Sequence, residues 1–504
     1  MNYNKILMEK GDRMAQLSWE KLLSSETLVQ RTTAEGQKGR DNYDGRTAFD
    51  SDYDRIIFSY PFRRLQDKAQ LFPLESNDFV RTRLTHSLEV SALAKSLGIS
   101  IAKEISKEKK DSYQWSKEYE KYLPKILECA GLVHDLGNPP FGHFGEATIG
   151  DTLIKILNRY REENKVLKRI SLTKQQEADI KNFEGNSQSF RILTHLQCIK
   201  DKYGYHLTSA LLASIVKYPV DSTKGNKEKD EDIRLHKFGY FFSENEVIQG
   251  VFSKTGLVAA DGSYIRHPLA FLMEAADDMA YCAGDIEDGF KKHLFTIAEL
   301  LTFIKEFNAD KNDAKIQELI DHMENISTKA EYYSDEKKIQ DIRIKLQQIM
   351  FHSIIDTFMK NYDEIMNGKF KKELIKESDV CILRECLKQI TEMYLFSNKE
   401  VILKEIMGKI IISELVTLYA DGLFKIKEKN KKKYIEFDKR TIELISSDYL
   451  VVFRETVECS ESFDNIEITG YNIYYILLLI ADQISGMTDT YCLSLYRKLH
   501  AIKV

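Results

Sequence analysis

Cysteine is scarce in this chain of 504 residues, which has seven, none of them arranged as a Cys-x-x-Cys pair. An odd number of cysteines without that spacing indicates reduced thiols in a cytoplasmic compartment. The first residues lack the apolar core of a signal peptide. The most apolar run, residues 473–480, is too short to span a bilayer and predicts a buried helix. We therefore expect a cytoplasmic protein that has no membrane partner.

A surplus of positive charge is also missing, because the formal net charge at pH 7 is −5. A chain with this charge has no general attraction to nucleic acid or to anionic membranes. Any phosphate binding must therefore come from local basic clusters or from a metal ion. The basic residues scattered over residues 31–46 predict a solvated N-terminal arm, residues 1–48, with a contact to phosphate or to a partner subunit as the alternative.

Proline is absent after Pro268, although the chain continues to residue 504. The apolar residues of this half recur mostly at three- and four-residue spacing, so long uninterrupted helices are expected. Residues 424–437 are an exception, because their alternation on both sides of a Lys-Asn-Lys tip predicts a short exposed β-hairpin. The predicted fold is mostly α, with a helical catalytic core over residues 49–300 and a helical C-terminal region over residues 301–504.

The most unusual segment is residues 134–146, which read His-Asp-Leu-Gly-Asn-Pro-Pro-Phe-Gly-His-Phe-Gly-Glu. The small and apolar residues 129–133 before it look like the buried end of a helix. Gly137 and the two prolines that follow should stop that helix. His143 and Glu146 are three residues apart, so a new helix would place both on one face. A polar, histidine-rich turn between apolar helices is costly to bury, which indicates a function.

Two further segments predict helices with chemically competent side chains. Residues 81–97 contain His86 and carry leucines on one side. Pro268 opens a strong helix, residues 269–290, because proline suits the first helical turn. Other predictions are helices at residues 186–199 and 207–217, and a charged, solvated connection at residues 103–122, with helix in parts of it as the alternative. Residues 156–181 are similarly polar.

Metal ligation is the chemistry that these segments share. His86, His134, Asp135 and an aspartate within residues 274–281 form a mixed nitrogen and oxygen ligand set. Such a set suits Mn²⁺, Mg²⁺, Fe²⁺, Co²⁺ or Ni²⁺ and leaves positions for water and substrate. Each of these residues taken alone is more often a structural polar group, and His134 with Asp135 would also suit a helix C-cap.

The order His…His-Asp…Asp resembles that of HD-domain phosphohydrolases. The surrounding sequence motifs resemble those of the deoxyguanosine triphosphate triphosphohydrolase (dGTPase) branch of that superfamily. They include Arg-Arg-Leu at 63–65, Gln-Leu-Phe-Pro at 70–73, Phe-Glu-Gly-Asn at 183–186, Lys-Tyr at 217–218 and Ile-Ser-Gly-Met-Thr-Asp at 484–489, besides residues 81–90, 134–146 and 274–288. The resemblance is dense over residues 49–290 and cannot be followed residue by residue between 300 and 470.

The resemblance implies a metal site and a catalytic pair. Its ligands would be His86, His134, Asp135 and Asp277, with Asp277 preferred to Asp278 because of the family's register. His143 and Glu146 match the catalytic pair of the family. Glu146 would hold the imidazole in one tautomer while His143 moves a proton near the α-phosphorus, either to activate water or to assist the leaving group. Six further positions match residues near the nucleotide: Gln70, Asn186, Lys217, Tyr218, Tyr281 and Asp285.

The expected function is metal-dependent hydrolysis of dGTP, and of other dNTPs as a broader option, to deoxynucleoside and inorganic triphosphate. Mn²⁺ or Mg²⁺ is the expected cofactor. The resemblance also implies a homo-oligomer, a hexamer, in which residues 301–504 complete the nucleotide pocket and the oligomer contacts; single-stranded nucleic acid is a further candidate partner. The alternatives are another HD-domain nucleotidase or broad dNTPase, and a nucleotide sensor or nucleic-acid-binding protein without turnover. The presence of His143 and Glu146 argues against the sensor.

Overall fold

The computed structural model describes residues 17–28, 45–75, 77–197, 204–227, 230–327, 333–429, 432–459 and 466–502. The predicted arm, residues 1–48, lies outside the described residues except at 17–28 and 45–48. Trp19, within the first of these stretches, is fully buried and donates a hydrogen bond of 2.7 Å to the Tyr362 hydroxyl. Residues 17–28 therefore belong to the folded core.

Helices dominate the first part of the chain, as predicted. They are α1 (Trp19–Leu22), α2 (Ala48–Ile57), α3 (Tyr60–Arg64), α4 (Arg83–Glu108), α5 (Tyr119–Val133), α6 (Gly142–Glu163), α7 (Lys174–Lys181), α8 (Gly185–Arg191), α9 (Ser209–Ser214), α10 (Asn245–Lys254) and α11 (Pro268–Lys291). Helix α4 packs along α5 and against α11. Helix α4 carries His86, α5 ends directly before His134, and α11 carries Asp277. The packing of these helices therefore brings the predicted ligands together.

The C-terminal region is also helical. Its helices are α12 (Ile297–Ala309), α13 (Ala314–Ser327), α14 (Asp335–Lys360), α15 (Tyr362–Met366), α16 (Leu374–Glu377), α17 (Cys381–Ile390), α18 (Lys399–Leu423), α19 (Lys439–Ile442), α20 (Ser447–Thr456), α21 (Gly470–Ser485) and α22 (Asp489–Leu499). Helix α14 packs on α11, and α18 packs on α6. Both contacts join this region to helices of the first part.

A small sheet confirms the predicted hairpin. Strands β1 (Lys425–Lys429) and β2 (Lys432–Glu436) pair antiparallel, with Lys425 opposite Glu436. A third strand, β3 (Ile466–Glu467), pairs antiparallel with β2. The sequence did not predict β3, because two residues are too few to show an alternating pattern.

The buried side chains form two hydrophobic clusters. The first joins α4, α5 and α11 to α14 and α17. The second joins α6 to α18 and to α21, whose residues 473–480 are all buried, as predicted. Each cluster draws on residues from both sides of residue 300. The C-terminal region is thus part of the packing that supports the first part of the chain.

Some predicted connections are helical in the structure. Helix α4 continues to Glu108 and buries Ile105, so the start of the connection predicted at 103–122 is helical. Helices α6 and α7 likewise occupy parts of residues 156–181. A charged composition concealed these helices, because only a narrow apolar stripe faces the core. The helix predicted at 186–199 is present as α8 continued by a π-helical turn, Ile192–Leu196, and residues 198–199 lie outside the described residues.

Two observations concern expectations drawn from composition. Within the described residues, Cys129, Cys282, Cys381, Cys386 and Cys492 are free thiols. Across the same parts of the chain, no helix combines the length and apolar character needed to cross a membrane.

Candidate metal centre and nucleotide site

Three of the predicted ligands meet between α4, α5 and α11. Ligand atoms of His86, His134 and Asp277 all lie within 4.8 Å of one another. Asp277 Oδ1 is 3.1 Å from His86 Nε2 and 3.4 Å from His134 Nε2. Both imidazoles are buried, with ring centroids 5.3 Å apart. This group can hold one metal ion.

The hydrogen bonding of His134 fits the role of a metal ligand. Its Nδ1 lies 2.8 Å from the Gly131 carbonyl oxygen. A carbonyl can only accept, so Nδ1 carries the proton and Nε2 keeps its lone pair. Nε2 is buried and has no hydrogen-bond partner among the described residues. A divalent cation would satisfy this buried lone pair.

Asp135 lies beside the cluster of three. Its Oδ1 is 3.5 Å from His134 Nε2 and accepts a hydrogen bond of 2.8 Å from the Asn138 side-chain amide. Its Oδ2 accepts from Arg83 Nη1 at 2.6 Å. Burial would raise the pKa of Asp135, but the charges of His134 and Arg83 outweigh it and hold the pKa below its usual value. The carboxylate therefore stays ionised next to the metal cluster.

The neighbouring carboxylates Asp277 and Asp278 face different partners. Asp277 Oδ2 accepts a hydrogen bond of 2.8 Å from Lys217 Nζ. Burial opposes ionisation of Asp277, but the charges of Lys217 and His134 hold its pKa well below the usual value. Asp278 lies 3.4 Å from Arg384 Nη2, and burial raises its pKa to about 7 despite that guanidinium. The two residues point apart because successive residues of a helix are about 100° apart around its axis.

Close packing and a buried ion cluster hold the ligand helices in place. A Cβ at Gly131 would lie 2.6 Å from Ser91 Cα, so a glycine is needed for α5 to approach α4 this closely. Arg81, just before α4, binds Glu287 and Asp288 near the end of α11 through contacts of 2.5 Å. The His86 helix is thereby joined to the Asp277 helix. The sequence did not predict this role for Arg81, because its partners lie about two hundred residues later.

The predicted catalytic pair is formed on the first turn of α6. His143 Nδ1 lies 3.0 Å from Glu146 Oε2, and the ionised carboxylate accepts this hydrogen bond. The hydrogen bond and the charge of Glu146 raise the pKa of His143. Burial opposes ionisation of Glu146, but His143 lowers its pKa overall. The Glu146 side chain is only 9% exposed, whereas that of His143 is 77% exposed and free to meet a ligand.

Two lysines introduce positive charge close to these groups. Lys217 binds the ligand candidate Asp277, as described above. Lys237 Nζ lies 2.9 Å from Glu184 Oε2, and its charge acts on both His143 and Glu146. The sequence did not predict Lys237, since no motif or helix marks its position. Its proximity to the catalytic pair depends on the tertiary fold.

The remaining predicted nucleotide contacts lie around the same centre. Asn186 donates a hydrogen bond of 2.7 Å to Glu184, and Gln70 Oε1 is 3.5 Å from Arg83 Nη1, which also binds Asp135. Burial raises the pKa of Tyr218 to about 12, with the charge of Glu274 adding to it. Burial likewise raises the pKa of Asp285 to about 8, and the Asp288 charge adds to it. Burial raises the pKa of Tyr281, and the charge of Asp285, one turn along α11, adds to it.

Comparison with known proteins places these residues in a family. A model of the HD domain matches residues 83–183, which contain His86, His134 and His143. A protein of Listeria innocua named deoxyguanosinetriphosphate triphosphohydrolase-like is 37% identical over 490 residues, covering 96% of this chain and 100% of the relative. This chain belongs to the HD-domain dGTPase-like family. The shared family confirms the resemblance seen in the sequence.

Two more distant relatives of the dGTPase-like family align over almost the whole chain. A dGTPase-like protein of Synechocystis sp. is 30% identical over 493 residues, 97% of this chain and 100% of the relative. A protein of Yersinia enterocolitica named deoxyguanosinetriphosphate triphosphohydrolase is 27% identical over 503 residues, 94% of this chain and 97% of the relative. The similarity thus extends through residues 300–470, where the motifs alone could not be followed.

The family and the geometry agree on the class of chemistry. HD-domain proteins are metal-dependent hydrolases, and His86, His134 and Asp277 form a group able to hold a metal ion. The open imidazole of His143, backed by Glu146, can move a proton. A metal-dependent hydrolase is the class that both observations support.

Proposed function

We propose that this protein hydrolyses dGTP to deoxyguanosine and inorganic triphosphate. The proposal rests on one observation: the chain has both the His86–His134–Asp277 cluster and the His143–Glu146 pair, which lies on α6 shortly after His134. The name of the Yersinia enterocolitica relative supports dGTP as the substrate. Other dNTPs are the broader alternative.

His86, His134, Asp135 and Asp277 would hold the divalent ion, for which Mn²⁺ or Mg²⁺ is proposed. When bound, such an ion polarises a phosphoryl oxygen and lowers the pKa of coordinated water. Arg83 keeps Asp135 ionised beside His134 and orients its carboxylate. The rest of the chemistry is assigned to side chains around this centre.

Lysine side chains provide the positive charge for the triphosphate. Lys217 Nζ is within hydrogen-bond reach of Asp277, so it lies next to the proposed metal ligands. Lys237 approaches from the side of the His143–Glu146 pair. A chain with a net charge of −5 needs such local cations to attract a highly charged anion. Asn186 and Tyr218 would add neutral contacts to the same phosphates.

The His143–Glu146 pair would transfer the proton. Glu146 accepts from Nδ1, so the imidazole keeps one orientation and directs Nε2 away from the pair. Nε2 is then the atom that takes or gives a proton near the α-phosphorus. Because His143 is largely exposed, a bound nucleotide can reach this nitrogen without a rearrangement of the core.

Helix α11 would contact the sugar. Asp277, Tyr281 and Asp285 follow each other at four-residue spacing and share one face. Tyr281 is then one turn from the metal ligand, and Asp285 one turn further, where a carboxyl group can bind the 3′-hydroxyl. Gln70 approaches from another segment beside Arg83. A tyrosine ring against the 2′ carbon leaves no room for a ribose hydroxyl, so a deoxynucleotide is preferred.

Product analysis tests this function. The purified protein, loaded with Mn²⁺ or Mg²⁺, is incubated with an equimolar mixture of the four dNTPs, and products are identified by mass spectrometry. We expect deoxyguanosine and tripolyphosphate in equal amounts. Pyrophosphate with dGMP would contradict the proposed bond position, and equal consumption of all four dNTPs would favour the broad hydrolase. No turnover would favour a nucleotide sensor.

Assembly and location complete the proposal. The dGTPase-like relatives align over 94–97% of this chain, and by this resemblance we propose a cytoplasmic homo-oligomer, a hexamer, in which residues 301–504 complete the nucleotide pocket. Light scattering coupled to size-exclusion chromatography measures the mass in solution. A monomer of 58.5 kDa would contradict this part of the proposal alone.

A further inference from the structure

The C-terminal motif Ile-Ser-Gly-Met-Thr-Asp, residues 484–489, contributes neither to the metal cluster nor to the catalytic pair. It spans the end of α21, the turn at residues 486–488 and the first residue of α22. Its last residue, Asp489, is buried, and its two carboxylate oxygens accept hydrogen bonds from two backbone amides. Oδ1 accepts from Phe141 N at 3.0 Å, and Oδ2 accepts from Ala69 N at 2.9 Å. Each amide lies next to a segment of the proposed active site.

Phe141 is the joint between the metal-binding turn and the helix of the catalytic pair. It precedes α6, and His143 follows two residues later. Its φ of +62° lies in the left-handed region, which is unfavourable for a residue with a side chain. Its ring packs against Gly408, where an added Cβ would lie 2.5 Å from the ring. The hydrogen bond to Asp489 and this packing together maintain a strained conformation that sets the direction of α6.

Ala69 holds the second segment. It lies between buried Lys68 and Gln70, the residue proposed to approach the sugar. Lys68 Nζ donates to the carbonyl oxygens of Asn138 at 2.6 Å and Ser485 at 2.7 Å. The turn after α21 therefore binds the Gln70 segment and, through Lys68 and Asp489, both sides of the turn that ends at Phe141.

We propose that Asp489 is a positioning residue for the reaction proposed above, on which this inference rests. Its carboxylate fixes where His143 and Gln70 stand relative to the metal cluster. Loss of the carboxylate would release Phe141 from its strained φ, so α6 could rotate and displace the His143 imidazole. Among the described residues, none of the proposed ligands His86, His134, Asp135 and Asp277 forms a hydrogen bond or ion pair with Asp489, so metal binding would be retained.

Kinetics with a matched control test this role. Asp489→Ala removes both acceptors, whereas Asp489→Asn keeps the shape and one carbonyl oxygen. Tyr491→Ala is the control, because Tyr491 lies on the same turn of α22 with an exposed side chain, and among the described residues that side chain forms no hydrogen bond to the Ala69 or Phe141 segment. We expect kcat for dGTP to fall by about 10- to 100-fold in Asp489→Ala, the effect of misplacing a reacting group by about 1 Å, and by less in Asp489→Asn. Bound metal should stay at the unmodified level in all three variants.

Amide exchange gives a measurement that does not depend on turnover. In metal-free protein, the peptides containing Ala69 and Phe141 should exchange faster in Asp489→Asn than in the unmodified protein or in Tyr491→Ala. Unchanged exchange in Asp489→Asn would overturn the inference. So would an unchanged kcat in folded, metal-loaded Asp489→Ala or Asp489→Asn, because Asp489 would then be only structural. Absence of dNTP turnover in the unmodified protein would instead refute the proposed function, while the exchange data would still decide whether Asp489 holds the two segments.

Discussion

Adjacent carboxylates on α11 provide a direct test of the metal site. Asp277 lies among His86, His134 and Lys217, whereas Asp278 faces Arg384. We expect Asp277→Asn to lose most of the bound metal. Loss of a residue that only supports a metal ligand lowers activity by about 10- to 100-fold, and the loss of activity in Asp277→Asn should be larger. Asp278→Asn, the matched control, should keep its metal. Elemental analysis after dialysis measures both, and equal metal content in the two variants would contradict the assignment.

A substitution of Glu146 tests the catalytic pair. Glu146→Gln removes the charge and weakens the hydrogen bond that raise the pKa of His143. The pKa of His143 should therefore fall, so the neutral imidazole becomes dominant at a lower pH than in the unmodified protein. Turnover should fall by about 10²–10⁴ because the imidazole also loses its orientation.

The measurements for Glu146→Gln are a histidine NMR titration in metal-free protein and steady-state kinetics with metal. Metal content serves as the control, since neither member of the pair contacts the ligand cluster. A His143 pKa that stays the same or rises would show that Glu146 does not control this imidazole. Loss of metal would move Glu146 into a structural role.

The residues of the site differ in how far the sequence could predict them. His134, His143 and Glu146 lie within thirteen residues, so local spacing and helix-stopping prolines were enough to place them. The choice of Asp277 over Asp278 needed the family's register. Lys237 and Asp489 could not be predicted, because their partners are distant in the chain and no periodic pattern links a carboxylate to a backbone amide 348 residues away.

At the scale of elements, the strongest predictions came from long apolar periodicity. The helix after Pro268 and the buried helix around residues 473–480 both appear in the structure. Short or charged elements were harder to predict, as the two-residue strand β3 and the helical parts of 156–181 show. In such elements a few tertiary contacts determine the conformation, and the sequence carries little local signal.

Helix α11 leads to a prediction about sugar selectivity. Tyr281→Ala should relax the preference for dGTP over GTP by at least about tenfold, because the ring no longer occupies the space that a 2′-hydroxyl needs. Tyr281→Phe is the matched control, since it keeps the ring and removes only the hydroxyl. The ratio of kcat/KM for dGTP and GTP measures the effect. Equal ratios in the alanine variant and the unmodified protein would exclude Tyr281 as the selectivity residue.

At the scale of the whole molecule, each of the two hydrophobic clusters contains residues from before and after residue 300. Residues from the C-terminal region fill both clusters, and the turn after α21 binds the two segments that flank the metal centre. The site therefore depends on chain ends that are far apart in sequence. Ion pairs across these parts of the chain should contribute to stability according to their burial.

Two such ion pairs allow this dependence to be measured. Arg191 of α8 donates three hydrogen bonds to Asp482 of α21, from Nε at 2.9 and 3.2 Å and from Nη2 at 2.8 Å, and both side chains are buried. The second ion pair, Arg159 with Asp421, joins α6 to α18, and its side chains are 42% and 51% exposed.

We expect Asp482→Ala to lower the free energy of unfolding by about 3–5 kcal/mol, because it leaves a buried guanidinium with only part of its partners. Asp421→Ala should cost at most about 1 kcal/mol, since water screens an exposed pair and solvates the arginine that remains. Urea unfolding followed by circular dichroism compares the two variants with the unmodified protein. An equal loss in both would mean that burial of the Arg191–Asp482 pair does not determine how firmly α21 is held.

Helix α21 ends at the turn that leads to Asp489. A weakened Arg191–Asp482 pair should therefore also speed amide exchange at Phe141, whereas the Asp421 variant should leave this exchange unchanged.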